Sequence, residues 1–147
     1  MADTAEATTD GTPLPVFVYG TLRRGGHNYD AFLRGRTTEE VPARLAGALL
    51  YEGPGYPYAV AAPRGEIHGE LMVLAPAGHA AVLRALDVLE DCVPGDPGSL
   101  YDRVVREVRT ERGGTARAWV YLAAERIARR LRAEGTPIPD GTWPRGA

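Results

Sequence analysis

The apolar run LPVFVYG at residues 14–20 is rich in β-branched and aromatic side chains, closes on a glycine, and predicts a strand. The segment RRGGHNYDAFLRG then turns through two glycines into a short helix over about residues 28–33, stopped by Gly35. Three strand segments follow, at residues 43–52 (ARLAGALLYE), 56–62 (YPYAVAA) and 67–75 (IHGELMVLA). The turn signals GPG and PRGE separate them. Hydrophobic positions then take up helical spacing. Residues 76–90 predict a helix with proline at its start, and the breaker VPGDPG comes after it. YDRVVREVRT at 101–110 alternates through Val104 and Val108, and TARAWVYLA at 115–123 pairs with it as a hairpin across ERGGT. AERIARRLRAE at 124–134 reads as a last helix, and TPIPDGTWPRGA at 136–147 as an irregular C-terminal tail. Residues 1–13 are small, polar and mildly acidic. They hold too little apolar surface to order themselves and read as a tail, which leaves residues 14–147 as one domain.

Consecutive strands without intervening helices argue against a doubly wound parallel sheet. They predict an α+β domain with a curled, mostly antiparallel sheet, in which about six short strands can close into a small barrel. With 147 residues, one domain is expected; at 44% hydrophobic and 24% charged, its composition is that of an ordinary globule. Charge narrows the function. A net charge of −2 supplies no bulk attraction for nucleic acid. No apolar run approaches the roughly 18–20 residues that span a bilayer, and the N-terminus lacks a signal peptide's basic and apolar regions, so a cytoplasmic protein is expected. All 17 basic residues are arginine, which removes lysine Schiff bases and phosphate-loop lysines from consideration. Cys92 is the single cysteine, so an internal disulfide and a multi-cysteine metal site are excluded.

Two places carry candidate chemistry. The first is VYGTLRRG, where Val18-Tyr19-Gly20-Thr21-Leu22 runs from a strand into a glycine turn. Such a turn can leave successive backbone N–H groups free as an anion-binding nest, Gly20 allows close approach, and the Thr21 hydroxyl adds a donor. On local grounds alone, an ordinary strand-to-helix turn is the commoner source of such a pattern. The second is the helix AVLRALDVLED. At about 100° of rotation per residue, Glu90 falls between Leu83 and Leu86 inside the apolar arc, Asp87 lies at its margin, and Arg84 and Asp91 face outward. A core-facing carboxylate resists ionisation, which suits a general acid/base near neutral pH. A helix-end glutamate that reaches solvent, or one paired with an arginine, fits the same pattern. His27, His68 and His79 show no metal-ligand spacing, and Cys92 reads as a small buried or loop residue. The arginines around Ile127 and Leu131 read as the solvated face of an amphipathic helix.

The ordered set of VYGTLRRG, GALLYEGPGYPYAV, IHGELMVL, and ALDVLED followed by YDRVVREV resembles the γ-glutamylcyclotransferase-like superfamily over residues 16–121. The resemblance implies a small mixed barrel flanked by helices. It also implies a reaction that cuts a γ-glutamyl amide into 5-oxoproline and a free amine, with neither metal nor cofactor. By the same resemblance, Tyr19, Gly20, Thr21 and Leu22 hold the substrate's α-carboxylate, Glu90 is the catalytic carboxylate, and Tyr101 shapes the pocket. The expected partner is a small γ-glutamyl substrate, with no nucleic acid or membrane; the oligomeric state is left open. The alternative is a non-catalytic module that binds a small carboxylate or a partner on the same fold. The chain departs from the family where Leu89-Glu90-Asp91 replaces Phe-Glu-Gly, and in the Pro/Gly-rich stretch between Glu90 and Arg103, which is expected to border the leaving group.

Overall fold

The computed structural model describes residues 13–144. They form β1 (Val16–Val18), α1 (Tyr29–Phe32), β2 (Thr37–Glu52), β3 (Pro57–Leu74), α2 (His79–Leu89), β4 (Tyr101–Thr110), β5 (Thr115–Ala123), α3 (Glu125–Glu134) and β6 (Pro137–Ile138). Neighbouring residues of the first apolar run serve two different cores. Val16 and Val18 pack into one buried cluster, Phe17 and Tyr19 into the other. Because both faces of β1 are covered, it is apolar at every position instead of alternating. β5 divides in the same way, sending Ala118 and Val120 to one side and Trp119 and Tyr121 to the other.

β1 sits between β3, antiparallel with Phe17 opposite Leu71, and β5, parallel with Val16 opposite Trp119. β5 pairs antiparallel with β4, β4 meets β2 at Ala43 and Arg44, and β2 returns to β3 along most of its length. The ring β3-β1-β5-β4-β2 is therefore a closed five-stranded barrel, mixed through its one parallel pair, and closure removes the free edges of an open sheet. This is the α+β barrel expected. All five strands contribute to its interior, through Phe17, Leu45, Ile67, Leu71, Val108 and Val120 among others. The outer cluster lies under the helices, where Leu83 and Leu86 of α2 and Ile127 of α3 meet Val16, Met72 and Trp119.

Four sequence expectations need correction. β2 begins at Thr37 rather than at residue 43, because β3 supplies a pairing partner for the polar stretch. The second and third strand segments are one strand, β3, and PRGE is a bulge within it rather than a turn. Ala46 faces Glu66 while Ala48 faces Ala61, so residues 62–65 stand against Gly47 alone, and Pro63 needs no ladder partner there. α2 starts at His79, after Gly78 in the left-handed region (φ 92°), and Pro76 belongs to the preceding turn. The C-terminal tail is not wholly irregular: β6 pairs with Leu50 and Tyr51, and Ile138 is fully buried in the barrel cluster. The N-terminal tail expected at residues 1–13 lies, apart from Pro13, outside the described residues. No helix among the described residues is long and apolar enough to cross a membrane.

Candidate active site

The chain leaves the sheet after Val18 and folds into a tight loop that closes on itself. Arg23 N–H donates to Gly20 O (3.1 Å), Gly26 N–H to Arg23 O (2.7 Å) and Asn28 N–H to Thr21 O (3.0 Å). A Cβ at Gly26 would overlap Thr21 O, and one at Gly20 would stand 2.9 Å from Pro57 Cδ, so both glycines are required by close approach. Glu70 of β3 clamps the loop from outside, accepting from Arg23 Nε (3.1 Å) and Arg24 N–H (2.9 Å). Asn28 Nδ2 donates to Thr21 Oγ1 (2.9 Å), which leaves the threonine hydroxyl proton free to serve an outside acceptor. Among the described residues no acceptor takes the N–H of Gly20, Thr21 or Leu22. The loop therefore presents consecutive donors without partners, the requirement for an anion nest.

Glu90 reaches the same space from α2. The helix ends in a Schellman cap, with Cys92 N–H on Asp87 O (2.9 Å) and Asp91 N–H on Val88 O (3.1 Å). Glu90 is the cap residue, and Asp91 takes the left-handed position (φ 52°) usually filled by glycine. Leu83 and Leu86 are buried and Arg84 and Asp91 exposed, as the wheel places them, while Glu90 is half-buried. Its carboxylate has no ion pair or hydrogen bond among the described residues, which sets aside an arginine-paired glutamate. The arginine instead goes one turn back: Arg103 Nε and Nη2 bind Asp87 at 2.8 and 3.1 Å, and Tyr121 OH donates to the same carboxylate at 2.6 Å. Burial first, and then the charge of Asp87, push Glu90 up from 4.5 to about 7.

Glu90, Tyr19, Gly20, Thr21, Leu22 and Tyr101 line one cavity of about 200 Å³ at the end of β1. All six predicted site residues are thus brought together. Tyr101 OH donates to Pro57 O (2.7 Å), and its ring stacks on Tyr58 with centroids 5.1 Å apart. Tyr19 OH donates to Tyr121 O. Burial foremost holds the phenols of Tyr19, Tyr101 and Tyr121 well above their ordinary range, so they remain neutral around Glu90. Sequence reasoning missed Asn28, Tyr56, Pro57 and Tyr121 in the lining; Asn28 is held locally on Thr21, whereas Pro57 and Tyr121 are tied to Tyr101 and Asp87 far along the chain. Of the residues between Glu90 and Tyr101, Leu100 alone reaches the cavity. His79 is a core residue bonded through Nε2 to Leu14 O (2.9 Å), and Cys92 is a buried free thiol. Among the described residues no three His, Cys, Asp or Glu side chains converge as metal ligands.

The class is defined by a closed mixed barrel in which the loop after β1 and the carboxyl at the end of α2 line one cavity. The pattern of the family described as "Gamma-glutamyl cyclotransferase, AIG2-like" matches residues 16–145, and the chain belongs to that family. It is similar to the gamma-L-glutamyl-butirosin B gamma-glutamyl cyclotransferase of Niallia circulans, with 34% identity over 108 residues. That match covers 73% of this chain and 65% of the relative, so the chain spans slightly less than two thirds of the relative's length. Among solved structures, an Arabidopsis thaliana protein superposes with a TM-score of 0.60 at 28% identity, covering 82% of this chain and 68% of its own. An AIG2-like protein from Mus musculus gives 0.59 at 25% identity, covering 76% and 77%.

Proposed function

We propose that this protein is a γ-glutamylcyclotransferase that cleaves a γ-glutamyl amide to 5-oxoproline and a free amine. The observation that carries the reading is that the half-buried Glu90 and Gly20, Thr21 and Leu22 line one cavity, with no partner for the Glu90 carboxylate or for those three N–H groups among the described residues. In this reading the loop and the Thr21 hydroxyl hold the substrate's α-carboxylate. The substrate then folds so that its α-amine lies against its own γ-carbonyl carbon. The amine attacks, a C–N bond closes the five-membered ring, and the amide C–N bond breaks. Glu90 takes the proton from the attacking amine and returns it to the leaving nitrogen, so atoms and charge balance without water. Holding a near-attack geometry contributes about 7–11 kcal/mol at most, and proton transfer by Glu90 about 10²–10⁴-fold. A carboxyl that titrates near neutral pH can both accept and give back a proton, which one held at its ordinary value does poorly. Tyr19, Tyr101 and Tyr121 act as neutral walls that keep Glu90 poorly solvated.

The reading includes a small-molecule partner and a cytoplasmic location; a single buried free thiol is in keeping with the latter. α3 is taken as a solvated face: Arg126 is occupied by the carbonyls of Pro97 (3.2 Å) and Gly98 (2.8 Å), and Arg129 stands 3.9 Å from Glu125. The Niallia circulans relative is named for a γ-glutamylated butirosin, which supports putting a γ-glutamyl aminoglycoside among the substrates tried. The test is a panel of γ-glutamyl amino acids, γ-glutamyl polyamines, ε-(γ-glutamyl)lysine, a γ-glutamyl aminoglycoside and glutathione, read by 5-oxoproline release. Product from one or more of them is expected. Saturable binding with no product from any would point to a non-catalytic module on this fold.

A further inference from the structure

Asp87 and Glu90 stand three residues apart on α2, close enough for their side chains to be neighbours on one face. Side chains at this spacing on a helix are typically about 5–6 Å apart at Cβ, so the two carboxylates compete for the same arginine. Arg103, from β4, is committed to Asp87 through two hydrogen bonds of 2.8 and 3.1 Å, and its guanidinium lies 4.2 Å from the centroid of the Trp119 ring. Tyr121 adds a third bond to Asp87, at 2.6 Å. Asp87 and Arg103 have nearly the same low side-chain exposure, 16% and 15%. We propose that Asp87 is a positioning residue: by engaging Arg103 and Tyr121 it withholds the arginine from Glu90 and leaves the Glu90 carboxyl unpaired at the cavity. The proposal rests on the cyclotransferase reading for its kinetic consequence but not for its structural one.

The groups around Glu90 make the arginine decisive. Tyr19 from β1, Tyr101 from β4 and Tyr121 from β5 are neutral through the physiological range. His27 and Tyr56 line the same cavity, and Asp91 beside Glu90 is exposed. Asp87 is the charge that raises the proton affinity of Glu90, and Arg103 is the cation bonded to Asp87. With the Asp87 charge removed, the two bonds that fix the Arg103 guanidinium on that carboxylate are weakened, and the Glu90 carboxylate three residues on becomes the neighbouring anion open to it. Glu90 would then be held ionised to lower pH and would be a weaker base.

Three variants separate this from simple repulsion between two carboxylates. In Asp87→Asn, Glu90 should titrate at lower pH by ¹³C NMR of its carboxyl, and kcat should fall about tenfold with KM nearly unchanged. In the neutral pair Asp87→Asn/Arg103→Met there is no arginine to capture Glu90, so its titration and kcat should return most of the way to wild type. That double variant removes both charges of the pair together and can be read even if the single variant folds poorly. Glu90→Gln fixes the resonance assignment and reports separately on the catalytic reading. The proposal is overturned if Glu90 titrates identically in wild type and Asp87→Asn, or if the neutral pair is as impaired as the single variant. If turnover is unaffected in Glu90→Gln, the cyclotransferase role of Glu90 fails, while the NMR titrations still decide whether Asp87 withholds Arg103.

Discussion

An ionisable side chain left without a partner at the edge of a core costs stability when it is charged, and Glu90 is such a residue. Its folded-state value of about 7 lies above the ordinary 4.5, so the native state holds a proton that the unfolded chain releases. The wild type should therefore lose stability relative to Glu90→Gln as pH rises from about 4.5 through 7, by at most about 3 kcal/mol, less whatever solvent screens a half-buried group. Thermal melts across pH 4–9 should show the two proteins converging at the acid end and the glutamine variant melting higher at pH 8. Equal melting temperatures at every pH would mean that Glu90 ionises freely. Part of this was legible in the sequence. The wheel places Glu90 among leucines because helical periodicity is a local property. That its carboxyl is unpaired was not legible, since the arginine that might have paired with it is captured by Asp87 from a strand beyond an intervening loop.

At the scale of elements, the end of α2 shows how a departure from the family pattern is accommodated. Asp91 stands where the family often has glycine, and it adopts the left-handed backbone (φ 52°) that closes the Schellman cap. A side chain there costs roughly 1–2 kcal/mol against a residue free of Cβ, although aspartate tolerates it better than most. Asp91→Gly should raise stability by about 0.5–1 kcal/mol once the greater freedom of glycine in the unfolded chain is deducted. Chemical denaturation checks the sign, and turnover should be unchanged because the Asp91 side chain is exposed. Element boundaries were less legible than element types. The polar stretch at the start of β2 and the PRGE bulge in β3 carry no strand signal of their own. Each is held in the sheet by a partner: β3 for the start of β2, and β2 for the two halves of β3 on either side of the bulge. A two-residue strand such as β6 is too short for any periodicity.

Across the whole molecule, barrel closure is what brings the loop after β1 to the end of α2. β1 is pinned by neighbours from opposite halves of the chain, β3 and β5, and Glu70 reaches back to the loop from 46 residues away. These long-range contacts were not legible in local patterns, whereas the ordered motifs were enough to indicate the family and six of the residues that line the cavity. The C-terminal segment adds to the closed barrel from outside the ring, pairing with β2 and contributing the fully buried Ile138 to its core. Ile138→Ala should cost about 2–5 kcal/mol by urea unfolding. Turnover should be preserved under folding conditions, since Ile138 does not line the cavity. The central claim, that Glu90 moves the proton in a ring closure arranged by the Gly20–Leu22 loop, is tested most directly by 5-oxoproline release from an accepted γ-glutamyl amide, measured for wild type and Glu90→Gln between pH 5 and 9. Wild-type turnover should rise with pH through a limb near 7, and the glutamine variant should stay folded and release no product at any pH. Turnover by Glu90→Gln at the wild-type rate would contradict the account.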